Sequence, residues 1–61
     1  MWLARDKIKT LVLFWQRPSK DEYLGRWETA HMDWVILPIY LFPEVQWEDE
    51  EPTKVKLVIE K

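Results

Sequence analysis

Apolar positions along this chain recur mostly at the period of strands. In TLVLFWQ, residues 10–16, Leu11, Leu13 and Trp15 share one face, and Val12, Phe14 and Gln16 share the other. Both faces are apolar, so the pattern predicts a central strand covered on two sides. WLAR, residues 2–5, is a shorter run of bulky residues, and DKIK between them is expected to form a hairpin turn. It lacks the Asn-Gly or Asp-Gly pair that favours a tight connection, which leaves its length open. RWETA and DWVIL read as third and fourth strands, with Val35 and Leu37 opposite Trp34 and Ile36. TKVKLVIEK closes the chain: Val55, Leu57 and Ile59 alternate with Lys54, Lys56 and Glu60, broken only by Val58, the pattern of a half-buried strand.

Between these runs the turn signals are proline and glycine. RPSKDEYLG, residues 17–25, is a loop by composition, with Pro18 stopping a strand and Gly25 marking a turn. Ser19 and Glu22 have capping-box spacing and predict one helical turn there. LPIYLFP has prolines near both ends and cannot be a central strand; a short helical turn starting near Pro38 is expected. The chain therefore reads as a single small all-β domain over residues 1–61, with an antiparallel sheet of four to five short strands or a partly closed barrel.

At 61 residues and with no cysteine, neither disulfides nor thiolate metal sites can support the fold. A chain of this length buries only about 60% of the surface it exposes when unfolded. Trp2, Trp15, Trp27, Trp34 and Trp47 are the obvious compensation, and all five are expected inside. The N-terminus lacks the basic, apolar and small-residue order of a signal peptide, and the longest apolar run, Trp34–Phe42, is interrupted by Pro38. A membrane-spanning helix needs about 20 residues. A soluble, cytoplasmic protein with no membrane association is expected.

The net charge is −2, but the charges are sorted. Residues 1–26 carry six bases against three acids; residues 27–53 carry seven acids and no lysine or arginine. FPEVQWEDEEP, residues 42–52, places Glu44, Glu48, Asp49, Glu50 and Glu51 around Trp47. Such a patch fits the basic groove of a partner protein, where complementary fields speed and select encounter, and an aromatic ringed by charge is how contact hot spots are built. The bland alternative is a solvated stretch that protects strand edges and pairs with Lys54 and Lys56.

Catalytic chemistry finds little footing. Ser19 and His31 are the only serine and histidine, and nothing in their spacing suggests a triad. Gly25 alone cannot cradle a phosphate. His31 and Asp33 share a strand face but are two ligands, not a metal site. WEDEEP lacks the glycine and alternation of a calcium loop. Adjacent loop carboxylates lack the enclosed cleft of a glycosidase. The expectation is a non-enzyme with no cofactor and no metal.

Two other binding readings stay open. Arg5, Lys7, Lys9, Arg17, Lys20 and Arg26 are interleaved with Trp2, Phe14, Trp15 and Tyr23, a combination that can hold single-stranded nucleic acid. The acidic balance of the whole chain argues against it. Small β chains also self-associate through sheet edges, which makes a homo-oligomer with a structural role the main alternative.

WLARD, LVLFWQRP and FPEVQWEDEEPTKVKLVI, taken in order, resemble a set of short proteins encoded in gut Bacteroidetes genomes, their prophages and mobile elements. The resemblance covers most of the chain. It departs at one place: the usual turn after ARDK looks like Asp-Gly, where this chain has Ile8, Lys9 and Thr10. The resemblance implies a compact β fold and a phage-like or mobile-element origin, and it carries over no functional residues. With the acidic stretch, it makes a host-protein inhibitor the leading expectation.

Overall fold

The computed structural model describes residues 1–56. It contains six strands and, among the described residues, no helix: β1 (Trp2–Arg5), β2 (Leu11–Phe14), β3 (Ser19–Asp21), β4 (Arg26–Glu28), β5 (Trp34–Leu37) and β6 (Thr53–Lys54). They form a four-stranded sheet in the order β5-β2-β1-β6 and a separate hairpin of β3 and β4. All pairings are antiparallel, and the sheet does not close into a barrel.

The alternation in β2 is realised as expected. Val12 and Phe14 join Ala4 on one face, where Trp27 covers them and Trp2 and Trp47 pack alongside. Leu11 joins Leu3 on the other face, under Val45, with Leu13, Leu37, Leu41 and Val55 around them. Each fully buried aliphatic side chain contributes about 1.5–3 kcal/mol. A sheet this short therefore needs both faces covered.

The β1–β2 connection shows why DKIK turns without a glycine. The Lys9 N–H donates to the Asp6 carbonyl at 2.8 Å, and the Asp6 N–H donates to the Thr10 carbonyl at 2.9 Å. This is a three-residue loop ending on a left-handed residue, a position that glycine usually fills. Lys9 fills it, with φ 76°.

The second hairpin replaces the helical turn expected from Ser19 and Glu22. Asp21, not Ser19, is the local acceptor: its Oδ1 takes the Leu24 N–H and its carbonyl takes the Gly25 N–H. Gly25 sits at φ 70° and returns the chain into β4. Burial of Trp27 on the sheet favours this hairpin over one isolated helical turn, which would be unstable in water.

Residues 38–49 form neither strand nor helix. The helical turn expected near Pro38 is an isolated reverse turn, the first of three: Leu41 N–H to Pro38 O, Val45 N–H to Phe42 O, and Asp49 N–H to Gln46 O. The period is four residues. Leu41 and Val45, at the fourth positions of the first two turns, point into the core, while Tyr40, Glu44 and Glu48, at the third positions, are exposed. Strand pairing at the end of the chain is described only for Thr53 and Lys54, which lie beside Leu3 and Trp2. Leu57, Ile59 and the rest of the expected closing strand lie outside the described residues.

The tryptophans divide. Trp27 is buried and Trp2 and Trp47 are half-buried, but Trp15 and Trp34 keep 44% and 45% of their surface exposed. The expectation that all five indoles serve the core is therefore corrected. Trp15 lies just past the end of β2, and Trp34 opens the edge strand β5, so each is covered only in part.

Candidate functional site

The acidic stretch is organised by a residue that the sequence pattern left among the surface bases. Arg5 ends β1 on the face of Leu3 and is only 8% exposed. Its five N–H donors all meet backbone carbonyls: Nε to Val45 at 2.7 Å, one terminal nitrogen to Lys9 at 2.9 Å and Ile39 at 3.0 Å, the other to Leu41 at 2.8 Å and Phe42 at 3.2 Å. The cation is balanced by carbonyl dipoles rather than by a carboxylate. Four of those carbonyls belong to the turn ribbon, so one guanidinium fixes residues 39–45 against the sheet. The left-handed Phe42, φ 48°, is held in the same way. A signal for this was available. The stretch 27–53 contains no lysine or arginine, and Pro38 and Pro43 offer carbonyls without N–H groups, so donors had to come from elsewhere.

The predicted contact residues are placed unevenly. Glu44, Glu48 and Glu50 are exposed and make no ion pair among the described residues. Asp49 is used locally: its Oδ2 takes the Gln46 N–H at 3.0 Å and its carbonyl takes the Lys20 ammonium at 3.1 Å. Glu51 lies 3.7 Å from Arg17. The expected pairing of the acids with Lys54 and Lys56 is thus replaced by one with Arg17. Trp47 is not a free anchor. It is half-buried against the Ala4–Trp27 cluster, with the Lys20 ammonium 4.3 Å from its ring centroid.

The bases are similarly committed. The Arg17 guanidinium lies 5.0 Å and the Lys54 ammonium 5.8 Å from the Trp2 ring centroid, while Arg26 pairs with Glu28 at 2.7 Å. Phe14 is buried and Tyr23 stands exposed at a hairpin tip. Of the interleaved bases and aromatics of the N-terminal half, Arg5 and Phe14 are thus withdrawn into the interior. Lys7 and Lys9 reach a groove of about 380 Å³ with Tyr40, Trp47 and Glu48.

Asp6, the neighbour of Arg5, faces the hairpin. Its Oδ1 accepts the Trp27 N–H at 2.9 Å, the Trp27 indole N–H donates to the Arg5 carbonyl at 3.1 Å, and the Lys7 N–H donates to the Gly25 carbonyl at 2.9 Å. Burial pushes the Asp6 carboxyl above its ordinary value, against the opposing pulls of the Trp27 N–H and the Arg26 charge. Asp6, Phe14, Arg26, Trp27, Trp34 and Ile36 contribute to a cleft of about 320 Å³ between sheet and hairpin. No local pattern in the chain marks it, since its walls come from three strands, β2, β4 and β5, and the β1–β2 turn.

His31 and Asp33 are exposed. Among the described residues no three His, Cys, Asp or Glu side chains gather as a metal site, and no helix is long and apolar enough to cross a membrane. Comparison with protein-family models, with curated proteins and with solved structures finds no match.

Proposed function

We propose that the chain is a non-enzymatic protein-binding module of phage-like or mobile-element origin, acting in the cytoplasm by docking its acidic surface on a basic groove of a host protein and blocking it. One observation carries this reading: exposed Glu44 and Glu48 lie on a turn ribbon whose residues 39–45 Arg5 fixes through four carbonyls, and exposed Glu50 follows directly after it. A solvated spacer has no need of that clamp. A recognition surface benefits from it, because ordering lost on binding is already spent in folding. Trp47 supports the ridge from beneath, and its exposed part adds apolar contact beside Glu48. Capture from host lysate tests the reading, with Glu44, Glu48 and Glu50 all changed to glutamine. Loss of a salt-sensitive partner at unchanged circular dichroism is expected; an identical set of captured proteins discards the ridge.

A second reading rests on β5. It is the edge of the sheet, and Trp34, Val35 and Ile36 are exposed with no charge between Trp34 and Leu37. Such an edge is a template for pairing with a second copy. Light scattering over a dilution series, with Ile36→Lys as the edge-blocked control, separates the two. A monomer at every concentration removes self-association.

A further inference from the structure

The cleft between the sheet and the second hairpin has the chemistry of a ligand site. Phe14, Ile36, Trp27 and Trp34 are among its lining residues. At about 320 Å³ it falls at the small end of sites that take low-molecular-weight ligands. Its polar groups are not balanced. Arg26 is neutralised by Glu28, which accepts from both Nε at 2.9 Å and a terminal nitrogen at 2.7 Å. Asp6 spends Oδ1 on the Trp27 N–H, and its Oδ2 takes no hydrogen bond among the described residues. One carboxylate oxygen, partly withdrawn from water, is therefore left in a cleft that two tryptophans also line.

We propose that this cleft binds a small amine with a flat apolar body, the ammonium donating to Asp6 Oδ2 and the body lying against Trp27 and Trp34. A cation is selected because the cleft carries one uncompensated negative charge and because aromatic faces attract cations. A flat body is selected because three of the apolar lining residues, Phe14, Trp27 and Trp34, are aromatic. An anionic analogue meets Asp6 and is repelled. The site uses none of the ridge glutamates, so its failure leaves the proposed docking untouched.

Tryptamine is the probe, followed by the indole N–H resonances of Trp27 and Trp34 in two-dimensional NMR. Saturable shifts of both are expected. Indole-3-propionate and lysine methyl ester are each expected to bind at least about tenfold more weakly, the loss of one charged contact or of the stacked body. Asp6→Asn keeps an acceptor for the Trp27 N–H and removes the charge, and is expected to weaken tryptamine by at least about tenfold. Ile36→Trp fills the cleft without touching Asp6, and is expected to abolish the shifts even if Asp6→Asn perturbs folding. No saturable shift, equal binding of either analogue, or unchanged binding by a folded Asp6→Asn or Ile36→Trp variant would overturn the proposal.

Discussion

The two flanks of the four-stranded sheet are built on opposite terms. On the β1 flank, a charged side chain is buried and every donor it has is bonded, so that a ribbon of turns is fastened over Leu3 and Leu11. On the β5 flank, an uncharged apolar strand lies at the edge, with Ile36 59% exposed. Hydropathy alone would assign the interiors the other way round. The difference teaches that in so short a chain the scarce commodity is backbone hydrogen-bond donors. The segment with least capacity to satisfy itself captured the arginine. The segment that could pair with a neighbouring strand on one side was left with the other side open.

That comparison can be broken most severely at Arg5. Arg5→Lys keeps the charge but supplies three donors on a compact head in place of a five-donor fork. Stranding carbonyls and a buried charge costs about 3–5 kcal/mol, comparable to the whole stability of a domain this small. The expected outcome is an unfolded or molten chain by near-ultraviolet circular dichroism. A cooperative transition within 1 kcal/mol of wild type, on the order of a single ordinary hydrogen bond, would show that the ribbon holds itself.

Gly25→Ala comes next. The added Cβ would lie 3.3 Å from Lys7 Cβ, at φ 70°. A loss of about 1–2 kcal/mol in urea denaturation is expected from the left-handed backbone alone. Lys9→Gly runs in the opposite direction. It relieves the left-handed Lys9 while leaving its carbonyl available to Arg5, so a gain of up to about 1 kcal/mol is expected. A loss would mean that the lysine side chain supports the turn in some further way.

On the open flank the expected effect is small. Ile36→Lys should change monomer stability by less than about 0.5 kcal/mol, because the position is largely exposed. A large loss would mean that the β5 face is more fully covered than its exposure indicates.

The smallest effect is one of slope. Because burial raises the Asp6 carboxyl above 3.8, the native chain holds that proton more tightly than the unfolded chain. The stability this lends is fully present below the unfolded value and is lost as pH rises through the folded one. Urea midpoints of Asp6→Asn against wild type should therefore shift in favour of the variant as pH rises from about 3.8 toward neutrality. A shift in favour of wild type would mean that the Trp27 N–H and the Arg26 charge together outweigh desolvation.

Much of this architecture was legible in the chain. The alternation in residues 10–16 placed β2 at the centre, and the runs at 2–5, 26–28 and 34–37 became strands. Those readings held because a β-strand's side-chain period is fixed by its backbone, whatever surrounds it. The helical turns expected at Ser19 and Pro38 failed for the converse reason. Capping and proline signals are worth about 1 kcal/mol, and burying Trp27, or bonding four carbonyls to one guanidinium, outweighs them.

The acidic ridge was visible as composition, but its rigidity was not. Glu44, Glu48 and Glu50 could be picked out from the string; that Asp49 caps a turn and that Trp47 is half-buried under Lys20 could not. The sequence by itself determined the strand content, the left-right sorting of charge and the absence of thiol chemistry, since each follows from residue type and local spacing. Only the tertiary structure decided which arginine was buried, which tryptophans stayed outside and that the Asp6 carboxylate took the Trp27 N–H. Those outcomes depend on contacts between residues 20 to 40 positions apart, whose energies no local pattern encodes.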